Sequence, residues 1–340
     1  MIPKNQVFNL ERLHERFEGP VLIVSTKVGR GVYFLGEALC EMLPPEIEAH
    51  HVAIEDFQSK RSVNEDLERY KVISNRFPWL LYFIYKLPFV FYRKYLREKY
   101  FNVSDLSPMR DYVKSRGIKT VICLSHRPAF WFSCLRRKSK MDFHLWGLLA
   151  EYGRTLGWKY IFWEQMEGYL SPIKKDEMEF SFPPGLQFLQ VELPARKAYY
   201  ELSAIPGNKQ KVLLVCGFWG QGPMLKIMKK MLKLLPGLNV YVVCGENGQL
   251  RRKISEEFKE NSFCQVYGVV ESLAPLMKEC GSIITKPGMS TILEAHAAKR
   301  KIFLLKGMPV AEDNNAKYAM AHFGAEWFTM QNFKQWHCDM

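Results

Sequence analysis

One stretch, from Ser282 to Ala298, restricts the fold more than any other. An apolar run, Ser282-Ile283-Ile284-Thr285, stops at Lys286-Pro287-Gly288, and Met289-Ser290-Thr291-Ile292-Leu293-Glu294-Ala295 follows at once. A short β-rich run closed by Pro and Gly reads as a buried parallel strand, and the spacing from Met289 to Ala298 reads as a helix starting at the turn. A second unit follows, the apolar run from Lys301 to Leu305 and then a polar loop from Gly307 to Ala316, which carries Glu312 and Asn315 into another helix. Repeated strand, turn and helix predict an α/β chain. Its polar loops would share the carboxyl edge of one sheet, where open α/β folds bind ligands.

The chemistry of that edge follows from the helix. The first N–H groups of a helix have no partner within it and carry the positive end of its dipole, so the amides after Gly288 suit a phosphate, with Ser290 and Thr291 adding hydroxyls. Glu294 lies about one turn further on, and helical side chains lean toward the N-terminus, so its carboxylate is placed for the two hydroxyls of a ribose. Phosphate with ribose means a nucleotide. Strand, glycine turn and helix recur throughout α/β proteins, so the pattern by itself does not single out that ligand.

Taken together, Thr285, Lys286, Pro287, Gly288, Thr291, Glu294, Ala295, Pro309, Glu312 and Asn315 make a more specific pattern. It resembles that of the GT-B glycosyltransferases related to monogalactosyldiacylglycerol synthase, the processive diacylglycerol glucosyltransferases and the N-acetylglucosaminyltransferase that forms lipid II. Met289 stands where that group has a second Gly, and Val310 and Ala311 stand where it has Gly-Gln. The resemblance is strongest from Val266 to Phe328. It implies a GT-B fold, two Rossmann-like domains facing a central cleft, and a UDP-sugar held by Gly288, Met289, Ser290, Thr291, Glu294, Glu312 and Asn315. The turn Gly217-Phe218-Trp219-Gly220 after the run from Lys211 to Cys216 would put Gly217 and Gly220 beside the donor phosphates, and the main chain of Val269 would read the uracil.

At 340 residues, two domains are expected, each large enough for its own core. The character of the chain changes between Pro172 and Pro206, which puts the linker near Leu193 to Gly207 and the domains at 1–200 and 201–340. The resemblance makes the first an acceptor-binding and membrane-facing domain and the second a nucleotide-sugar domain, with the final helix returning to the first. A formal net charge of +13 favours an anionic partner, whether membrane surface, nucleic acid or phosphorylated substrate. The eight cysteines are scattered, with no zinc or redox spacing, and the N-terminal residues lack the apolar core of a signal peptide, so a reduced cytoplasmic chain is expected.

The N-terminal half opens with the strand-like run Pro20-Val21-Leu22-Ile23-Val24-Ser25, the turn Gly29-Arg30-Gly31 and a helix from Tyr33 to Leu43. Val32 occupies the position of a histidine in the resembled group. His50 and His51 fall on a second strand and so point to opposite faces. From Phe77 to Tyr100 the chain is densely aromatic, broken by Lys86 and two prolines, and ends in Arg93, Lys94, Arg97 and Lys99. It is no bilayer-crossing helix, which needs about 20 consecutive apolar residues. Aromatics beside cations suit an anchor on an anionic membrane surface, and a pair of buried helices fits the same residues.

Candidate catalytic residues are His126, at the end of the run from Lys119 to Leu124, and Glu151, where the resembled group has an acid ahead of a Trp and another strand. That next strand is expected around Tyr160-Ile161-Phe162-Trp163, and Glu164 and Glu167 are alternative acids. The implied reaction is inverting transfer of a sugar from a UDP-sugar to a lipid, diacylglycerol-like or other hydrophobic acceptor. The chain contains no Asp-x-Asp, so neither a metal nor another cofactor is expected. Two further readings stay open: a nucleotide-sugar-binding protein without catalysis, and transfer to a soluble acceptor. A nucleic-acid-binding protein has the charge but no recognised motif, and no nucleic-acid partner is expected.

Overall fold

The structure is a computed structural model and describes residues 15–28, 30–59, 63, 64, 68, 105–153, 158, 161–177, 182–307 and 311–338. Gly29, Tyr160, Pro309, Val310 and the aromatic segment 77–100 lie outside the described residues. The chain forms two compact units, Met1–Pro194 and Ala195–Met340.

The first unit is a six-stranded parallel sheet in the order β2-β1-β3-β4-β5-β6. Its strands are β1 (Val21–Ser25), β2 (Ala49–Ala53), β3 (Thr120–Cys123), β4 (His144–Leu148), β5 (Gly168–Ser171) and β6 (Gln187–Gln190). Every residue of β1 and β3 is buried, as expected of parallel strands covered on both faces. The cover comes from α1 (Gly31–Met42), α2 (Ser107–Ser115) and α3 (His126–Ser139). Leu22, Val24, Val121, Phe132, Leu145 and Trp158 meet in one core. The strand expected around Ile161 to Trp163 is instead a single 3-10 turn, Trp163–Gln165, and the next strand starts at Gly168. The local run is aromatic enough to look like a strand, but Phe162 packs into the core from a loop and the polar pair Glu164-Gln165 ends the run.

The two adjacent histidines do face opposite ways. His50 Nε2 lies 2.9 Å from the exposed Glu48 carboxylate, whereas His51 Nε2 and the buried Ser25 hydroxyl are hydrogen-bonded at 2.7 Å. The His51 ring packs 4.6 Å from that of Tyr33 and fills the space where a side chain at Gly36 of α1 would stand. Glycine at 36 is therefore what lets α1 close over β2.

The second unit contains β7 (Asn208–Val215), β8 (Asn239–Val243), β9 (Cys264–Tyr267), β10 (Cys280–Thr285), β11 (Lys301–Leu304) and β12 (Glu326–Trp327), all parallel, in the order β12-β11-β10-β7-β8-β9. Counted from its own first strand, that is the Rossmann order 3-2-1-4-5-6. The helices are α4 (Lys197–Glu201), α5 (Met224–Leu234), α6 (Gly248–Glu257), α7 (Ala274–Glu279), α8 (Met289–Ala297), α9 (Ala311–His322) and α10 (Met330–Cys338). The final helix does not leave this unit. Phe333 of α10 is fully buried with its ring 5.4 Å from Phe303 of β11, and Trp336 packs on the same core, because these aromatics supply an apolar face that β11 needs covered.

Burial lowers the His51 pKa from 6.5 to about 4, with Asp56 opposing the shift and Lys27 adding to it. The unfolded chain takes up that proton as the pH falls through 6.5, while the folded chain resists it until about 4. This contribution to stability is complete above pH 6.5 and lost on the way down to about 4. Urea midpoints measured across that window will fall more steeply for the native protein than for a His51→Asn variant, and parallel slopes would refute the assignment.

Candidate functional site

In each unit the strand order reverses once, and the loops on either side of the reversal define the ligand edge. In the second unit the reversal lies between β7 and β10, whose last residues, Val215 and Thr285, are register partners. The loop after β7 holds Gly217 and Gly220, and the loop after β10 is Lys286-Pro287-Gly288.

Lys286 ties this edge together. Its stem crosses Gly217, where a Cβ would meet the Lys286 Cε at 2.6 Å, and its ammonium donates to Glu312 Oε1 at 2.6 Å. Gly217 also has a left-handed φ of 71°, so glycine is required there twice over. Glu312, at the start of α9, is 5% exposed, and its other oxygen packs against Gly307. Asn315, one turn along α9, donates to the carbonyl of Pro287 at 3.1 Å. Gly220 packs against the Cys244 carbonyl, and Asn247 caps α6 through the Leu250 amide while donating to the Gly220 carbonyl at 3.1 Å. The loops after β7, β8, β10 and β11 are thus joined by contacts between strand ends.

The amino end of α8 stands in the middle of this edge. Gly288 is its N-cap, with an ordinary φ of −76° and no side-chain cap, and a Cβ built there would meet nothing within 4 Å. The first intrahelical bond runs from Ile292 N to Gly288 O at 3.1 Å, so the amides of Met289, Ser290 and Thr291 precede the helical ladder. Met289, which replaces a glycine of the resembled pattern, is buried, at 7% exposed. Ser290 and Thr291 are half-buried.

Glu294 is 3% exposed, and its Oε1 accepts from Arg196 Nε at 3.0 Å and Nη2 at 2.7 Å. Arg196 Nη2 also donates to the Tyr199 hydroxyl at 3.0 Å. That hydroxyl accepts the Leu273 amide at 3.1 Å and lies 3.3 Å from Ser272 Oγ. Burial, then the Glu294 charge, pushes the Tyr199 phenol up to about 12, so it stays protonated. A partly buried chain of hydrogen bonds therefore runs from Glu294 to the segment after β9, which includes Val269, itself half exposed at 49%. The sequence reading missed Arg196 and Tyr199. The only signal was that Glu294, on a buried helix face, needs a cation from somewhere.

In the first unit the reversal lies between β1 and β3. His126, exposed, opens α3 just past β3, and Glu151, half-buried, follows β4 on the neighbouring strand end. Glu55, which the sequence reading also missed, is 4% exposed and accepts from Thr26 Oγ1 at 2.6 Å and Lys27 N at 3.0 Å, with Arg127 Nη1 3.5 Å away. The alternative acid Glu167 is engaged by His144 Nδ1 at 2.6 Å and Arg136 Nη1 at 3.4 Å. Among the described residues no group of three His, Cys, Asp or Glu is placed to hold a metal. No helix among them is long and apolar enough to cross a membrane.

Two six-stranded parallel Rossmann-like sheets, each with its loops at a strand reversal, are the GT-B form of α/β architecture. Solved structures agree with it at the level of fold. MurG of Acinetobacter baumannii superposes with a TM-score of 0.54 at 14% identity, covering 93% of this chain and 88% of that one. The UDP-GlcNAc 2-epimerase of Neisseria meningitidis bound to UDP-GlcNAc gives 0.51 at 10% identity, covering 93% and 89%. In sequence, the chain is similar to the processive diacylglycerol beta-glucosyltransferase of Bacillus cereus, 32% identical over 146 residues, which is 40% of this chain and 37% of that protein. The match thus spans well under half the length of that relative. No family model matches the chain.

Arg196→Ala removes two hydrogen bonds and a cation from a carboxylate that stays buried, so it will destabilise the protein by about 3 kcal/mol in urea unfolding, with Arg196→Lys in between. An unchanged midpoint would show that Glu294 does not depend on Arg196.

Proposed function

We propose that the chain is an inverting glycosyltransferase that moves a sugar from a UDP-sugar to a lipid, diacylglycerol-like or other hydrophobic acceptor at a membrane surface. The observation that carries this reading is the uncovered amino end of α8 at the strand reversal, with the buried carboxylate of Glu294 one turn behind it. The similarity to a diacylglycerol glucosyltransferase supports the same reaction class.

In this reading the diphosphate accepts from the amides of Met289, Ser290 and Thr291 and from the two hydroxyls, while Gly217 and Gly220 keep the facing loop low. The ribose hydroxyls donate to Glu294, whose Oε1 already accepts from Arg196 and which, ionised, is acceptor only. The Val269 main chain reads the base. Glu312 and Asn315 act through position: they hold Lys286 and Pro287, and so the strand end that feeds α8.

The acceptor hydroxyl attacks the anomeric carbon, the bond to the diphosphate oxygen breaks, and UDP leaves with that electron pair. The acceptor's proton passes to a base, for which His126 and Glu151 are the proposed groups. The helix amides and hydroxyls stabilise the charge that grows on the leaving diphosphate. Attachment to the cytoplasmic membrane surface, through the segment 77–100, belongs to the same proposal.

Calorimetry with UDP and a UDP-release assay with membrane extract as acceptor test it together. Glu294→Ala will weaken UDP roughly tenfold to a hundredfold, the range for a lost hydrogen bond to a charged group. His126→Ala and Glu151→Gln will lower UDP release while leaving UDP affinity in place. Tight UDP binding with no release from any donor would instead indicate a binding protein, the reading favoured by Val32 at the histidine position. No UDP binding at all would end the nucleotide assignment.

A further inference from the structure

Helix α5 has two unlike faces. Met224, Ile227, Met228, Met231 and Leu232 are buried, while Lys226, Lys229, Lys230 and Lys233 are exposed with no acidic residue among them. Leu234, at the end of the same helix, is 37% exposed. Helix α6 is tied to α5 through Lys229 Nζ and Glu257 Oε1 at 2.7 Å, and adds Arg251, Arg252 and Lys253 to the exposed surface. An open groove of about 450 Å³ has Pro223, Met224, Leu225 and Leu250 for its apolar lining and Lys226, Lys229 and Lys230 as its cations. Neither the proposed nucleotide contacts nor the core uses these lysines.

We propose that this face of the second unit docks on a bilayer surface rich in anionic phospholipid. Lys226, Lys230 and Lys233 reach lipid phosphates, and the apolar groove and Leu234 meet the boundary with the acyl chains. Charge complementarity selects an anionic partner, and the apolar lining selects a lipid over other polyanions. Nucleic acid fits less well, because neither α5 nor α6 carries an aromatic side chain on which a base could stack. The proposal leans on the glycosyltransferase reading only in that a lipid acceptor would bring the chain to a membrane. The docking itself requires no sugar transfer.

The test is co-sedimentation of the full chain with vesicles of phosphatidylcholine alone or mixed with phosphatidylglycerol, at low and raised salt, with UDP calorimetry on the same samples. The native protein will bind the mixed vesicles, salt-sensitively, and not phosphatidylcholine alone. The triple variant K226Q/K230Q/K233Q will partition less by on the order of a hundredfold, since each lysine near an anionic surface contributes about fivefold. A control triple, K278Q/K299Q/K334Q, removes the same charge from exposed positions elsewhere in the unit and will stay close to native. UDP binding equal to native shows that the variants fold.

Equal loss in both triples, no loss in the first, or no vesicle binding by the native protein would overturn the proposal. So would displacement from vesicles by inorganic phosphate at millimolar concentration, or tighter binding of duplex DNA or RNA through the same lysines. Native protein that binds vesicles but not UDP would refute the nucleotide reading and leave this surface standing.

Discussion

The ion pair between Lys286 and Glu312 is the constraint on which the ligand edge depends. A parallel sheet buried on both faces has nowhere to put polar groups except at its strand ends, and a carboxylate 5% exposed is costly to bury unless a cation and donors reach it. Lys286 leaves β10, crosses the glycine after β7 and ends on the helix after β11, so satisfying Glu312 fixes three loops relative to one another. The first unit solves the same problem with different residues. Glu55, just past β2, collects donors from the loop after β1 and a guanidinium from the first turn of α3. In both units a buried glutamate turns separate strand ends into one rigid rim. On the second rim, the amino end of α8 carries no side-chain cap.

Much of this was legible because it is local. The strand, turn and helix from Ser282 onward depend on spacing and on Pro-Gly, and the structure starts the helix at Met289 as the pattern requires. The opposite directions of His50 and His51 follow from the period of a strand and need no tertiary information. The Arg196 contact to Glu294 spans 98 positions, and nothing near Arg196 announces it. The fate of the final helix was misread for a related reason: Phe333 and Trp336 show that α10 has an apolar face, but not which sheet that face covers. The turn at Trp163 was hidden by composition, since aromatic residues that favour strands also serve as anchors for loops.

The departures from the resembled pattern look different once placed. Met289 is 7% exposed, so the extra side chain is buried within the fold, and the helix start keeps no side-chain cap. The loss of glycine there costs no conformation that only glycine could adopt, because Met289 opens the helix and is not among the residues with a left-handed φ. Val32 is another matter. It sits in the first turn of α1, half-buried, and a valine brings no proton acceptor. The bases proposed for the transfer, His126 and Glu151, come instead from just past the adjacent strands β3 and β4.

Arg196 also changes what the nucleoside pocket can be. A ribose that engages Glu294 would engage a carboxylate whose orientation is set by a guanidinium, and that guanidinium is set by a phenol bonded to the Leu273 amide. Leu273 lies four positions from Val269, whose main chain is proposed to read the base. The two halves of a nucleoside, sugar and base, would then be read by segments joined through one partly buried hydrogen-bonded chain, and not by two independent loops. Such a chain limits how far either segment can shift without breaking a charged hydrogen bond. Pre-set geometry of that kind lowers the entropy lost on binding, which favours a ligand of fixed sugar-to-base distance over a bare phosphate or diphosphate.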